Sequence, residues 1–256
     1  MIDPRAVVDP NAQLGTGVTV GPFSIIESGV VIEDDTWIGP HVIIKSDTQI
    51  GRANKIFQFC SIGDAPQHTA FDGRDYRLVI GDRNIIRENC TISRGTPEGA
   101  AGTVIGNDNF IMAYAHIAHD CQVGNHTIFA NGASLAGHVT VGHYAILGGF
   151  TLVHQFCKVG AHAITGIGAV CLKDVPPFIV AAGNTAKPHG INVKGLRRRN
   201  FSSTDIAYLR RAYRDLYRSG LSLNKAVLQL EAKYNNCERI QELIDFLKNS
   251  KRGIIR

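Results

Sequence analysis

An aliphatic residue recurs at every sixth position of this 256-residue chain over long stretches. The first stretch runs without a gap through Val8, Leu14, Val20, Ile26, Ile32, Ile38, Ile44, Ile50, Ile56 and Ile62. The spacing resumes at Ile80, Ile86 and Ile92, and again at Ile105, Ile111, Ile117, Val123, Phe129, Leu135, Val141, Leu147, Val153 and Val159. A period of six matches neither a helix nor a simple alternating strand. It predicts short strands joined by sharp turns, three to a coil, with coils stacked about 4.8 Å apart.

The residues around the aliphatic position fit the same prism. Glycine often follows it, as at Gly21 and Gly142, and we expect the tight corner there to require a positive φ. Two positions before it the residue is small or β-branched, as at Cys60 and Ala133, and such residues can stack inside a narrow prism. The sequence therefore predicts an all-β parallel β-helix of hexapeptide repeats over residues 1–195.

Two interruptions, near residues 64–78 and 93–104, carry no six-residue register. Both are rich in glycine, proline, aspartate and threonine, which favour loops. We expect them to be loops ejected from the prism. Loops held by a rigid scaffold commonly carry binding groups.

The pattern changes to helical spacing near the end of the chain. Apolar residues fall on one helical face at Ile206, Leu209, Tyr213 and Leu216. Ser202 or Ser203 is a candidate cap and Gly220 a candidate stop signal, with further helices expected after Ser222 and around 240–247. Residues 196–256 are therefore predicted to form a C-terminal α-helical appendage.

The formal net charge of +5 is modest but unevenly spread. The segment from Lys194 to Gly220 contains eight basic residues against Asp205 and Asp215. Such a concentration of charge favours an anionic partner at that end of the chain. Nucleic acid, a nucleotide and an acidic protein all satisfy this requirement.

Composition favours a cytoplasmic protein with reduced cysteines. The apolar runs are shorter than the roughly 20 residues that span a bilayer, so we expect no stable membrane insertion. The first residues lack the pattern of a signal peptide. The six cysteines are far apart and contain no C-x-x-C pair, which argues against a disulfide framework or a zinc ribbon.

Several histidines converge on one predicted outer edge. Ile117 fills an inward position, so His119 lies two residues beyond the core. Because one coil is 18 residues, Gly137 stacks on His119, His138 stacks on Asp120, and Gln155 stacks on Gly137. Nearby edge positions belong to His116 and His154. A histidine beside a carboxylate suits a general base. There are two alternatives to a general base. The histidines are solvent-exposed corner residues without a catalytic role, or His116, His119 and His138 form a zinc site.

The stretch Arg197 to Arg199, preceded by Asn192, offers planar donor groups that can hold phosphate. The competing interpretation is a solvated start to the helical appendage. The sequence leaves these two interpretations nearly balanced.

Several strings carry a resemblance to a known family. They are Ile85-Ile-Arg-Glu88, Arg94-Gly-Thr96, His116-Ile-Ala-His-Asp-Cys121, Leu135-Ala-Gly-His138, Val153-His-Gln-Phe-Cys157, Asp174-Val-Pro-Pro177 and Gly195-Leu-Arg-Arg-Arg199. These strings occur in the order typical of one family and extend over essentially the whole chain. On this basis the sequence resembles the UDP-N-acetylglucosamine acyltransferases, the first enzymes of lipid A synthesis. The resemblance implies a left-handed β-helix, although parallel crossovers are generally right-handed.

The resemblance also implies roles for individual residues. His119 would be the general base, oriented by Asp120, and the Gly137 amide would donate to the thioester oxyanion. The sugar nucleotide would contact His116, His138, His154, Gln155, Asn192, Arg198 and Arg199.

The implied substrates are a 3-hydroxyacyl chain on acyl carrier protein and a UDP-activated amino sugar, with the acidic carrier received by the basic appendage. The implied assembly is a homotrimer with sites between subunits. No metal, cofactor or nucleic acid is implied.

Three positions depart from the family pattern. Residues 67–71 read Gln-His-Thr-Ala-Phe where the family usually has Gln-Asp-Leu-Lys-Tyr, so His68 and Ala70 replace a charged pair beside the sugar. One hypothesis is therefore an acceptor with a 3-amine instead of a 3-hydroxyl. Lys194 stands where glutamate is frequent. Ile167 stands where the long-chain member has glycine, which predicts a shorter acyl donor.

Two rival functions come from other classes of protein. One is a zinc-dependent hydratase of the γ-carbonic anhydrase type, and the other is a purely structural β-helix. The basic tail argues against the first, and the ejected loops and clustered histidines argue against the second.

Overall fold

The structure is a computed structural model that describes residues 1–69, 71, 73–74, 76–99, 101–234 and 237–256. Its strands, numbered β1 to β27 in chain order, form three sheets that are the faces of a triangular prism. Neighbouring strands of each sheet run parallel, except for the antiparallel pair β26 and β27. The predicted β-helix with a helical appendage is confirmed.

The first sheet has nine strands. They are β1 Val7–Val8, β4 Ile25–Ile26, β7 Ile43–Ile44, β10 Ser61–Asp64, β13 Thr91–Ser93, β16 His116–Ile117, β19 Ser134–Leu135, β22 Leu152–Val153 and β25 Val170–Cys171.

The second sheet has eight strands. They are β2 Gln13–Leu14, β5 Val31–Ile32, β8 Thr48–Ile50, β11 Leu78–Ile80, β14 Thr103–Ile105, β17 Gln122–Val123, β20 Thr140–Val141 and β23 Lys158–Val159.

The third sheet has ten strands. They are β3 Thr19–Val20, β6 Trp37–Ile38, β9 Lys55–Ile56, β12 Ile85–Ile86, β15 Phe110–Ile111, β18 Ile128–Phe129, β21 Ile146–Leu147, β24 Ile164–Thr165, β26 Ile179–Ala182 and β27 Lys187–Ile191.

The repeating aliphatic side chains fill the prism. Ile38, Ile62, Ile86 and Ile117 are completely buried, and Cys60 and Ala133 are buried beside them. Burial of such side chains contributes about 1.5–3 kcal/mol each. The six-residue period therefore reports the inward position of every short strand.

The expected positive φ is found at Gly63, where φ is 81°, but the expectation is wrong for Gly21 and Gly142. The residues with positive φ lie two positions after the glycine, at Phe23 after Gly21 and at Tyr144 after Gly142, both with φ near 60°. The glycines instead avoid a collision with the next coil. A Cβ at Gly21 would lie 2.7 Å from the backbone nitrogen of Pro40, and one at Gly142 would lie 2.5 Å from that of Ala161.

The prism has three corners, and they position the site. We call the corner between the first and second sheets the first corner, that between the second and third sheets the second corner, and that between the third and first sheets the third corner. Both long connections leave at the first corner. Residues 65–77 join β10 to β11, and residues 94–102 join β13 to β14.

Within the described residues, four helices follow the prism: α1 Val193–Arg198, α2 Ser203–Tyr217, α3 Leu223–Lys233 and α4 Glu238–Lys248. Ser202 caps α2 through a reciprocal pair of hydrogen bonds with Asp205. The helices pack around a second apolar cluster that includes Leu209, Leu230 and Ile244. They are joined to the prism in part by the buried Asp174, which accepts hydrogen bonds from the Lys158 amide and the Ser250 hydroxyl.

Candidate active site

His119 and Asp120 lie side by side on the first corner, directly after β16. Asp120 has φ 60°, a left-handed conformation that aspartate tolerates better than most residues. Its backbone N–H donates to the Thr103 hydroxyl oxygen at 2.8 Å, which fixes the turn. The main chain therefore delivers both side chains to the same point on the wall of the prism.

The two side chains form a close pair. Nδ1 of His119 lies 2.8 Å from Oδ2 of Asp120, and the side chains are 12% and 2% exposed. An ionised carboxylate can only accept a hydrogen bond, so we assign the proton to Nδ1. Nε2 of His119 is then left with a lone pair that can take a proton, as a general base requires.

Asp120 receives two further hydrogen bonds from the connection 94–102. The Thr96 hydroxyl donates to Oδ2 at 2.6 Å, and the Thr96 backbone N–H donates to Oδ1 at 3.0 Å. The sequence reasoning missed this contact because Thr96 lies outside the six-residue register. The only available signal was its presence in the Arg94-Gly-Thr96 string.

Other histidines surround the pair. The rings of His68 and His138 lie 5.3 Å and 5.1 Å from the ring of His119, both edge to face. Burial lowers the pKa of His138, and burial followed by the nearby His119 lowers the pKa of His116. Both side chains therefore tend to be neutral near pH 7, which suits contacts to hydroxyl groups better than to phosphate.

Gly137 stands against the His119 ring, as the 18-residue stacking predicts. A Cβ at Gly137 would lie 2.6 Å and 2.7 Å from Cε1 and Nε2 of His119. Among the described residues, no acceptor takes a hydrogen bond from the Gly137 amide. A glycine at this position leaves room for a substrate beside Nε2.

An open groove of about 450 Å³ runs along the first sheet beside this corner. It is lined by His116, Ser134, Leu135, Ala136, Leu152, Val153, His154, Val170 and Leu172. Nδ1 of His116 lies 2.7 Å from the Thr91 hydroxyl. His154 and Gln155 are exposed at the corner above Gly137.

The candidate phosphate-binding residues lie elsewhere. The Arg199 guanidinium lies 4.9 Å from the ring centroid of Tyr144, which is on the second corner. Asn192 caps α1 by accepting from the Gly195 amide, and its Nδ2 donates to the carbonyl of His162. Arg198 is exposed, as is Lys194.

Ile167 lies on the third corner. It is 80% exposed and packs beside Gly149, one coil below. A single chain thus brings together His119, Asp120, Gly137 and their neighbouring histidines, but distributes Arg199 and Ile167 over the two other corners.

One group of described residues has the geometry to hold a metal ion. Ligand atoms of His119, Asp120 and His138 lie within 4.8 Å of one another. His116, which the zinc alternative requires, is not part of this group. The close hydrogen bond between His119 and Asp120 accounts for the arrangement without an ion.

A parallel β-helix of hexapeptide repeats with a histidine and carboxylate pair on its wall defines a hexapeptide-repeat acyltransferase. Sequence profiles agree: one for bacterial transferase hexapeptides matches residues 102–137, and one for UDP-N-acetylglucosamine O-acyltransferase, domain 2, matches residues 174–255. An acyl-[acyl-carrier-protein]–UDP-N-acetylglucosamine O-acyltransferase from Thiobacillus denitrificans is 54% identical over 100% of this chain and 99% of its own.

Solved structures give the same result. A UDP-N-acetylglucosamine acyltransferase from Francisella novicida is 40% identical with a TM-score of 0.98, covering 100% of this chain and 94% of that one. One from Bacteroides fragilis is also 40% identical with a TM-score of 0.98, covering 100% of both. The chain belongs to the UDP-N-acetylglucosamine O-acyltransferase family. The predicted left-handed coil is confirmed, and the hydratase alternative is not supported.

Among the helices of the described residues, none is long and apolar enough to cross a bilayer.

Substitution of Gly137 by alanine should strongly reduce turnover, because the new methyl group must displace the His119 ring. We expect kcat to fall by roughly a hundredfold, the scale of one general base. The measurement is steady-state acyl transfer, with thermal unfolding as a check on folding. The double variant His119→Ala, Gly137→Ala removes the collision and should unfold like His119→Ala alone. Full activity of Gly137→Ala would contradict the assignment.

Proposed function

We propose that this protein transfers a 3-hydroxyacyl chain from acyl carrier protein to the 3-position of a UDP-activated amino sugar. The name of the Thiobacillus denitrificans relative gives acyl-[acyl-carrier-protein] as donor and UDP-N-acetylglucosamine as acceptor, and that of the Francisella novicida enzyme gives the same acceptor. The observation that carries the proposal is the His119 and Asp120 pair beside the unblocked Gly137 amide.

The proposed reaction is a direct transfer. Nε2 of His119 takes the proton of the sugar nucleophile as that atom attacks the thioester carbonyl. The Gly137 amide stabilises the negative charge that forms on the carbonyl oxygen. The carbon–sulfur bond then breaks, and the carrier thiolate leaves and receives the proton from His119. Asp120 keeps the ring oriented and stabilises its protonated form.

The sugar would lie in the groove beside the first corner. His116 and His154 line that groove, and His138 and Gln155 lie on the first corner beside it. The lowered pKa values of His116 and His138 favour neutral rings there. Neutral imidazoles can both donate to and accept from sugar hydroxyls.

A trimer would bring the separated groups together. Within one chain, His119, Arg199 and Ile167 lie at three different corners of the prism. We propose that neighbouring subunits of a homotrimer supply them, with Asn192, Arg198 and Arg199 holding the diphosphate. Arg199 keeps its positive charge beside Tyr144, which suits this role.

The carrier protein would bind the helical appendage. A groove of about 510 Å³ there is lined by Gly190, Ile191, Val193, Arg210, Tyr213, Arg214 and Arg218. The three arginines complement an acidic partner. A KM for the carrier that did not rise with ionic strength would argue against this surface.

The acceptor proposal is that the amine-bearing sugar reacts better than the hydroxyl-bearing one. His68, which replaces the aspartate usual in the family, packs on His119 in place of a negative charge. Ala70, the second part of that argument, lies outside the described residues.

Replacing His119 by alanine should reduce turnover by roughly a hundredfold or more without loss of the fold. The assay is mass spectrometry of acyl transfer from a panel of carrier thioesters to the 3-hydroxy and 3-amino UDP sugars. His41→Ala, several coils towards the N-terminus, is the matched control and should stay active. Near-normal transfer by folded His119→Ala would end the general-base proposal.

The same assay with the native enzyme tests the acceptor proposal. A clear preference for the 3-hydroxy sugar over the 3-amino sugar would overturn it.

The intersubunit site can be tested by mixing two inactive variants. His119→Ala and Arg199→Ala trimers should each be nearly inactive. If His119 of one chain works with Arg199 of the next, each trimer that contains both variants has one intact site in three and should regain about a third of the native activity. The two variants are co-expressed, each with a different affinity tag. Trimers that contain both variants are purified through the two tags in succession. Mixed trimers that stay inactive would place both residues in one chain's site.

Substitution of Ile167 by glycine should shift selectivity towards longer 3-hydroxyacyl donors. A branched side chain in the path of the acyl tail costs about 1–3 kcal/mol of overpacking, so its removal should improve a long donor relative to a short one by about tenfold. Ile167→Val should give a smaller shift in the same direction. The measurement is kcat/KM across donors of increasing length, and an unchanged profile would show that the acyl groove ends elsewhere.

A further inference from the structure

The connection 94–102 holds the catalytic carboxylate from one side. Thr96 is 4% exposed, and both its hydroxyl and its backbone N–H donate to Asp120. The hydroxyl uses Oδ2, which is the same oxygen that contacts Nδ1 of His119. Oδ2 of Asp120 therefore contacts the Thr96 hydroxyl and Nδ1 of His119, with Nε2 of His138 at 3.7 Å, whereas Oδ1 accepts from the Thr96 backbone N–H.

The loop backbone is shaped to fit this carboxylate. A Cβ on Gly99 would overlap the carboxyl group of Asp120, and one on Gly95 would lie 2.9 Å from Oδ1. The Gly99 amide donates to the carbonyl of Thr96 at 3.1 Å, which closes the loop around the side chain. Gly102 is also held in place, because Gln122 donates to its carbonyl at 2.8 Å.

We propose that Thr96 is a positioning residue for the acyl transfer, an inference that rests on the proposed function. Its hydroxyl fixes the rotation of the Asp120 carboxylate so that Oδ2 faces Nδ1 of His119. It also draws part of the negative charge away from that oxygen. Thr96 does not touch the reacting atoms and acts through Asp120 alone.

This role has a consequence for the pH dependence of turnover. Without the Thr96 hydroxyl, the full charge of Oδ2 falls on His119 and favours its protonated form. The base is then neutral only at higher pH, so the acidic limb of the kcat profile moves upward. The other titratable groups that face the pair are His68, His116, His138 and Glu98, and they are unchanged by the substitution.

The test is Thr96→Val, which keeps the shape of the side chain and removes the hydroxyl. We expect kcat to fall by about tenfold to a hundredfold, as for a lost hydrogen bond to a charged group. KM for both substrates should change by less than about twofold, because substrate contacts are not altered. Thr96→Ser should recover most of the activity, and Thr16→Val, an exposed threonine in the first coil, is the matched control.

A double-variant cycle separates positioning from a structural role. In an Asp120→Ala background, Thr96→Val should change kcat by less than about twofold, because its only target is gone. Gly99→Ala provides a second route, since it displaces Asp120 with the Thr96 hydroxyl intact and should also lower kcat. A Thr96→Val enzyme with native kcat and an unshifted acidic limb, or an equal loss in the Asp120→Ala background, would overturn the inference. Failure of the native enzyme to transfer acyl chains would instead overturn the proposed function.

Discussion

Stacking of the chain on itself, one coil above the next, is the constraint on which this structure depends. Parallel pairing holds each corner to the corner below it: the His138 amide donates to the His119 carbonyl at 3.0 Å, and the Phe156 amide donates to the Gly137 carbonyl at the same distance. Side chains 18 residues apart consequently form columns on the wall of the prism. A catalytic group in one coil has its neighbours determined by the residues one coil away.

The corners require a backbone conformation that most residues avoid. Asp120, His138 and Phe156 all have φ of 60–64°, where a non-glycine residue costs roughly 1–2 kcal/mol. Stacking offsets part of this cost, since the rings of His138 and Phe156 lie 4.5 Å apart and nearly parallel. The left-handed turn also turns the Asp120 side chain back towards His119, so the fold and the site use the same conformation.

The β-helix could be predicted from the sequence because its inward positions recur every six residues and its coils every 18. The period of six predicts the buried residues, and the 18-residue coil predicts that Gly137 lies beside His119, as it does. The contacts of Thr96 and His68 could not be predicted in this way, because both residues lie in connections that have no register. The handedness of the coil depended on resemblance, since spacing is the same for either hand. Positive φ is not the reason for Gly21 and Gly142, because the close approach of the next coil, which spacing does not reveal, excludes a side chain there.

The position of the two connections explains why an interrupted repeat is needed. In a strictly regular prism, a corner residue such as Asp120 has neighbours above and below it, but only solvent at its side. Two donors to Asp120 must therefore come from a segment that leaves the coil and returns, and residues 94–102 do this at the first corner. The connection 65–77 leaves at the same corner one coil earlier and brings His68 to the other partner, His119. The uniform coils supply rigidity and register, whereas the two insertions supply lateral contacts that repetition cannot provide.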